Sequence, residues 1–219
     1  MTSLVETPRA HPSAVLEIGG TTLSDRLLPI VFFASGFAAI LYQIVWQRTL
    51  FALLGINIES VTVVVTSFML GLGVGSLVGG FVSKLAGNHL VYVFAFAELL
   101  IAGFGAISLP LFHKFGHLTL MLSGTATALL TLLLLLIPTI GMGGTLPVLV
   151  AHCVRKNGSV GWSVGMLYAV NTFGSAAAAF TAVFLLMRAL GQQGTIWVAV
   201  ACNVGAAVTV LLAESRQGR

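Results

Sequence analysis

Few side chains in this chain can do chemistry, so the position of each one matters. Of 219 residues, 58% are hydrophobic and 7% charged, with ten Lys+Arg, six Asp+Glu and five His. Glu98 is the carboxylate set well inside an apolar run, Leu90 to Leu109. Counted along a helix it stands roughly 12 Å from the start of that run, near the middle of a bilayer. An ionisable group at that depth is costly and is by default a candidate for handling a proton or a cation. Ala95, Ala102 and Gly105 form a small-residue stripe beside it that should turn the carboxylate toward other helices. Asn171 and Asn203, in two later apolar runs, lie at similar depth, and Tyr168 precedes Asn171 by about one turn. Gln43 and Gln47 share a face of the first run, somewhat nearer the outer surface. Glu98, Asn171, Tyr168, Asn203 and Gln43 are therefore the candidate solute-binding set: one counter-charge and several hydrogen-bonding groups. The plainer reading is that such groups join helices, at about 0.6–2 kcal/mol each.

Other chemistries lack their residues. His113 and His117 are four apart but have no third ligand nearby, and Cys153 and Cys202 form no CxxC pair, so no metal site or disulfide framework is expected. There is no phosphate-binding glycine loop or HExxH, so neither an enzyme nor a cofactor is expected. A net charge of +4 is small enough to be the sum of loop charges on a membrane protein, and no nucleic-acid partner is read from it.

The elements that position these residues follow from hydropathy, whose mean is +1.05. Globular chains carry roughly 25% charged residues, so a soluble domain is excluded. A bilayer core needs about 20 helical residues. Six runs qualify: Leu27–Leu53, Val61–Val82, Leu90–Leu109, Leu118–Ile137, Trp162–Met187 and Thr195–Ala213. A barrel would need short alternating segments, whereas Leu129–Ile137 is apolar on every side. The expectation is an all-α integral membrane protein with a six-helix bundle over 27–213, an amino-terminal tail over 1–26 and a carboxyl tail over 214–219. Arg9, Arg26, Lys84, Arg155, Lys156, Arg216 and Arg219 fall on one side, and Arg48, Lys114 and Arg188 on the other, which places both termini in the cytoplasm. Trp46, Trp162 and Trp197 fall near run ends, where interfacial aromatics belong. Arg48, at the outer interface, should snorkel.

Two stretches govern packing. Gly71, Gly75 and Gly79 lie on one helical face at the spacing that lets backbones approach closely, within the chain or across a homodimer. From Leu118 to His152 the apolar character hardly lapses, and as one straight helix that stretch would measure about 52 Å. Pro138, Gly141, Gly143, Gly144 and Pro147 mark where it would break or kink, either lining a wet site or merely packing.

Several of these stretches occur together in a known arrangement. Ala34–Arg48, the glycine-rich Phe68–Ser76, Pro138–Pro147 and Val164–Gly174, together with Glu98 in Ala97-Glu-Leu-Leu, resemble the multi-pass membrane region that precedes a spermidine-synthase-like domain in many bacterial fused proteins. That region is in turn similar to half of a major-facilitator transporter, and Gly80–Gly87 resembles the superfamily's loop between spans two and three, with Ser83 where an aspartate would be expected. The resemblance covers nearly all of Leu27–Ala213. It implies a bacterial inner-membrane protein concerned with polyamine transport, polyamine sensing or docking of a soluble synthase-like partner. The aminopropyltransferase-like domain that would follow the spans has no counterpart in the few residues after Ala213, so that catalysis is not expected of this polypeptide. The alternatives are a half-size carrier for another small solute, active as a homodimer, and a structural membrane subunit.

Overall fold

The computed structural model describes residues 23–54, 58–119 and 122–217. The expected tails lie mostly outside the described residues, Arg9 and Arg219 among them. Helix dominates, and there is no strand among the described residues. The long helices are α1 (Leu23–Leu54), α2 (Ile58–Leu85), α3 (Leu90–Thr119), α4 (Gly124–Asn157) and α5 (Val160–Thr181). A π-helical turn over Ala182–Leu186, the short α6 (Met187–Ala189) and the long α7 (Gly191–Gln217) complete the chain. Five helical stretches are long and apolar enough to cross a membrane, the last being the continuous Val160–Arg216.

Boundaries differ from the sequence expectation: the last two expected runs fall in one continuous stretch, Val160–Arg216, and the fourth run is displaced. Leu118 closes α3 rather than opening the fourth span, because α3 continues through Pro110 to Thr119. The fourth span begins instead at Gly124, where the Ser123 hydroxyl accepts the Ala126 N–H as an N-cap.

Of the break and the kink that 138–147 allows, the break does not form. α4 passes through Pro138 and Pro147 as one helix, at 1.5 Å per residue about 51 Å long. Proline removes a backbone donor, and threonine hydroxyls turn back onto the backbone beside both prolines. Thr139 Oγ1 donates to Leu135 O at 2.7 Å, and Thr145 Oγ1 to Met142 O at 2.7 Å. The helix ends at Gly158, whose left-handed backbone (φ 69°) directs its N–H to Val154 O.

The glycines of this stretch serve close packing. Along α2, Gly71 faces Thr139, Gly75 faces Ile140 and Gly143, and Gly79 faces Gly144 and Pro147. A Cβ at Gly75 would stand 2.2 Å from Ile140 O, and one at Gly143 would stand 2.4 Å from Leu72 O, so only glycine fits. The order of the contacts rises along both helices, which makes α2 and α4 parallel neighbours.

A second group forms around α1. Asn171 and Ser175 of α5 reach Phe32 and Gly36 of α1 in rising order, so these helices are also parallel. α7 runs the other way: Gln192 at its start accepts from Thr49 near the end of α1, whereas Asn203 lies at the level of Ser35 through their shared partner Glu98. The reversal between α5 and α7 falls at Leu190 and Gly191, where φ is 66°.

Trp46 departs from its expected interfacial place. It is fully buried, stacks on Tyr42 at 5.1 Å, packs on Phe68, Phe104 and Phe112, and donates its indole N–H to Ser108 Oγ at 3.0 Å. Trp162 and Trp197 are exposed, as is Arg48.

Candidate functional site

Glu98 is fully buried on the inner face of α3. Two neutral donors hold it: the Ser35 hydroxyl donates to Oε1 at 2.6 Å and the Asn203 amide donates to Oε2 at 2.6 Å. Three helices thus converge on one carboxylate, α1 through Ser35, α3 through Glu98 and α7 through Asn203. Such short bonds to an ionisable acceptor are among the stronger hydrogen bonds a protein makes.

The expected polar layer is only partly assembled. Glu98 and Asn203 meet, as equal depth suggests. Asn171 stands on the α5 side of α1, where its Nδ2 donates to Phe32 O at 3.4 Å. Tyr168 does not join: it is 63% exposed, on the outer face of α5. The buried residues of α5 are Ser163, Leu167, Gly174 and Ala178, and Tyr168 lies about 100° around the helix from Leu167. Ser35, absent from the sequence-derived set, is the missing ligand of the carboxylate. Its only signal was a small hydroxyl in Ala34-Ser-Gly36 about two turns before Gln43.

Ser35 has a second environment. It lines a cavity of about 110 Å³ between α1, α2, α4 and α5, with Gln43, Thr145, Asn171 and Ser175 supplying the other polar groups and Phe68, Leu72 and Met142 part of the apolar wall. The cavity lies where the α2–α4 pair faces the α1–α5 pair. Two sequence-predicted residues, Gln43 and Asn171, therefore share a hollow from which Glu98 is separated by one hydroxyl group.

Asn203 Oδ1 and the Tyr42 hydroxyl are buried without a hydrogen-bond partner. Tyr42 is pressed against Gly105, where a Cβ would come within 2.6 Å of its hydroxyl oxygen. The small-residue stripe read beside Glu98 thus serves at Gly105 to admit an aromatic ring.

A second hollow, about 170 Å³, lies at the end of α4 and is lined by Gly87, Asn88, Leu90, His152, Arg155 and Lys156. The Arg155 guanidinium is committed there to structure, donating to Gly87 O and, at 3.2 Å, to Ser83 O. It ties the turn between α2 and α3 to α4. Cys153 and Cys202 form no disulfide, and no cluster of three His, Cys, Asp or Glu exists among the described residues.

Comparison with protein-family models, with curated proteins and with solved structures found no match to this chain.

Proposed function

We propose that the chain is a carrier-type membrane module in which Glu98 takes and releases a proton and communicates through Ser35 with a solute in the adjoining cavity. One observation carries this reading: the Ser35 hydroxyl that holds the carboxylate also lines the cavity. A carboxylate that served only to join helices would need no such connection to open space. The helix arrangement supports it as well, because the cavity lies between two helix pairs, each internally zipped by close backbone contacts, that can shift against one another as units.

In this reading Val160–Arg216 crosses the membrane twice, for a total of six crossings. As one straight rod its 57 residues would run about 86 Å, nearly three bilayer cores, and the opposite directions of α5 and α7 beside α1 favour a return. Six crossings put both termini on one side, which the Lys and Arg distribution assigns to the cytoplasmic face of a bacterial inner membrane. The module is then half the size of a major-facilitator transporter, and a homodimer or a soluble synthase-like protein is its proposed partner. A polyamine as the solute rests on the sequence resemblance. A cavity of about 110 Å³ accommodates one end of such a molecule rather than its full length. No bond-making chemistry is assigned to the chain.

The test is uptake of labelled putrescine and spermidine into proteoliposomes, wild type beside Glu98→Gln, with and without an imposed proton gradient. Glu98→Gln preserves size and removes the titrating group, so gradient-driven uptake should fall at least about tenfold, the loss expected for removing one charged hydrogen bond. Uptake that is gradient-driven and equal in the two proteins would overturn the assignment of Glu98.

A further inference from the structure

We propose that the cavity between α1, α2, α4 and α5 binds a primary ammonium group, recognised by an acceptor-rich wall whose hydroxyl hydrogens are already spent. This rests on the reading above for the negative charge behind Ser35, and goes beyond it in naming the part of the solute that is bound.

Each hydroxyl has one hydrogen to give. Ser35 gives its hydrogen to Glu98 Oε1 at 2.6 Å, Thr145 to Met142 O at 2.7 Å and Ser175 to Gly36 O at 3.3 Å. Asn171 directs Nδ2 at Phe32 O, an orientation required by chemistry because the alternative sets two carbonyl oxygens against each other. What remains on these four residues is mostly oxygen lone pairs, on three hydroxyl oxygens and one amide oxygen, beside the second N–H of Asn171. Gln43 adds an amide group with donors and an acceptor, so acceptor oxygens outnumber the unspent donors on the wall.

A wall in which acceptors outnumber donors selects by exclusion. A carboxylate or phosphate would set most of its lone pairs against lone pairs, with the Glu98 carboxylate just beyond. An alcohol brings one donor and no charge. A quaternary ammonium brings charge but no donor. A primary ammonium brings three donors on one compact, positively charged atom, which is what several inward acceptors around a small space can satisfy. The cavity has room for about four waters at about 30 Å³ each, enough for the ammonium head and a short alkyl stem. Phe68, Leu72 and Met142 offer the stem an apolar wall.

Ser35 makes the binding depend on the protonation of Glu98. An ammonium donating to Ser35 Oγ polarises that hydroxyl toward the carboxylate, so each hydrogen bond strengthens the other. A proton on Glu98 removes the charge the ammonium feels, and by reciprocity the bound ammonium opposes that proton. The titratable side chains electrostatically linked to Glu98 are Tyr42 on α1 and Cys202 on α7, both of a type ordinarily neutral at pH 7. Glu98 is therefore the group whose charge changes, and ammonium affinity should rise with pH.

The experiment is calorimetric titration of the full chain in lipid nanodiscs with n-propylammonium chloride, at mildly acidic and mildly alkaline pH. Tetramethylammonium and n-propanol serve as the ligands lacking donors and lacking charge. Saturable propylammonium binding is expected, with both controls at least about tenfold weaker. Thr145→Val, which keeps the shape and deletes an acceptor oxygen, should weaken it about tenfold, as should Ser175→Ala. Tetramethylammonium binding as tightly as propylammonium would overturn the proposal, and so would no propylammonium binding at any pH in a protein whose gradient-driven transport still needs Glu98. Propylammonium binding that is indifferent to pH in both wild type and Glu98→Gln would sustain the ammonium site and overturn the proton reading instead.

Discussion

Asn203 holds Glu98 with its amide nitrogen and leaves its own oxygen without a partner, and Tyr42 leaves a hydroxyl in the same condition beside Gly105. A buried unpaired polar atom costs about 1–3 kcal/mol, so these two atoms subtract from the stability of the packing around the carboxylate. Two substitutions separate the satisfied groups from the unsatisfied ones. Ser35→Ala deletes a donor to Glu98 and should lower stability by about 1–3 kcal/mol. Tyr42→Phe deletes only the orphaned hydroxyl and should leave stability unchanged or raise it by up to about 1 kcal/mol. Reversible denaturation in mixed micelles measures both; a large loss for Tyr42→Phe would mean that the hydroxyl does have a partner. Glu98 and Asn203 were legible in the sequence because depth along a helix is obtained by counting. Azimuth is not, since it depends on which neighbour each helix meets. That is why Asn171 falls on the far side of α1, Tyr168 faces outward, and Ser35 is not distinguished in the sequence from the many other hydroxyls.

α2 and α4 show what the glycines contribute at the level of the element. Gly75→Leu must displace the Ile140 backbone, and overpacking against a backbone that cannot rotate away should cost about 3 kcal/mol or more. Gly73 has nothing within 4 Å of an added Cβ, so Gly73→Leu in the same helix is the matched control and should be nearly neutral. Thermal unfolding followed by circular dichroism distinguishes the two. Arg155→Gln releases the Gly87 and Ser83 carbonyls from their tie to α4. Losing charged hydrogen bonds at an exposed turn should cost about 1–2 kcal/mol and hasten proteolytic cleavage between α2 and α3. The small-residue face of α2 was readable from spacing alone. The continuity of α4 was not: two prolines and three glycines argue for a break when α4 is considered by itself, whereas in the fold Gly143 and Gly144 are packed against the backbone of α2, a support the sequence of α4 does not show.

For the whole molecule, composition and run length sufficed to make it all-helical and membrane-spanning, since with 7% charge no other solvent would accept its surface. Which helix lies beside which was illegible, because every span is apolar on most sides and no pattern marks its partner. The arrangement found is one in which the most extensive contacts join helices that are not consecutive in sequence. α2 makes its main contact with α4 and little with α1, while α1 takes α5 and α7 as its main partners and α3 packs on α7 and α4. During synthesis, α2 therefore enters the bilayer with its glycine face uncovered and must wait there until α3 has crossed and α4 has emerged. A chain halted before α4 would carry an unmet backbone surface, open to membrane chaperones and quality-control proteases. The order in which spans leave the insertion machinery thus becomes part of what secures the native pairing.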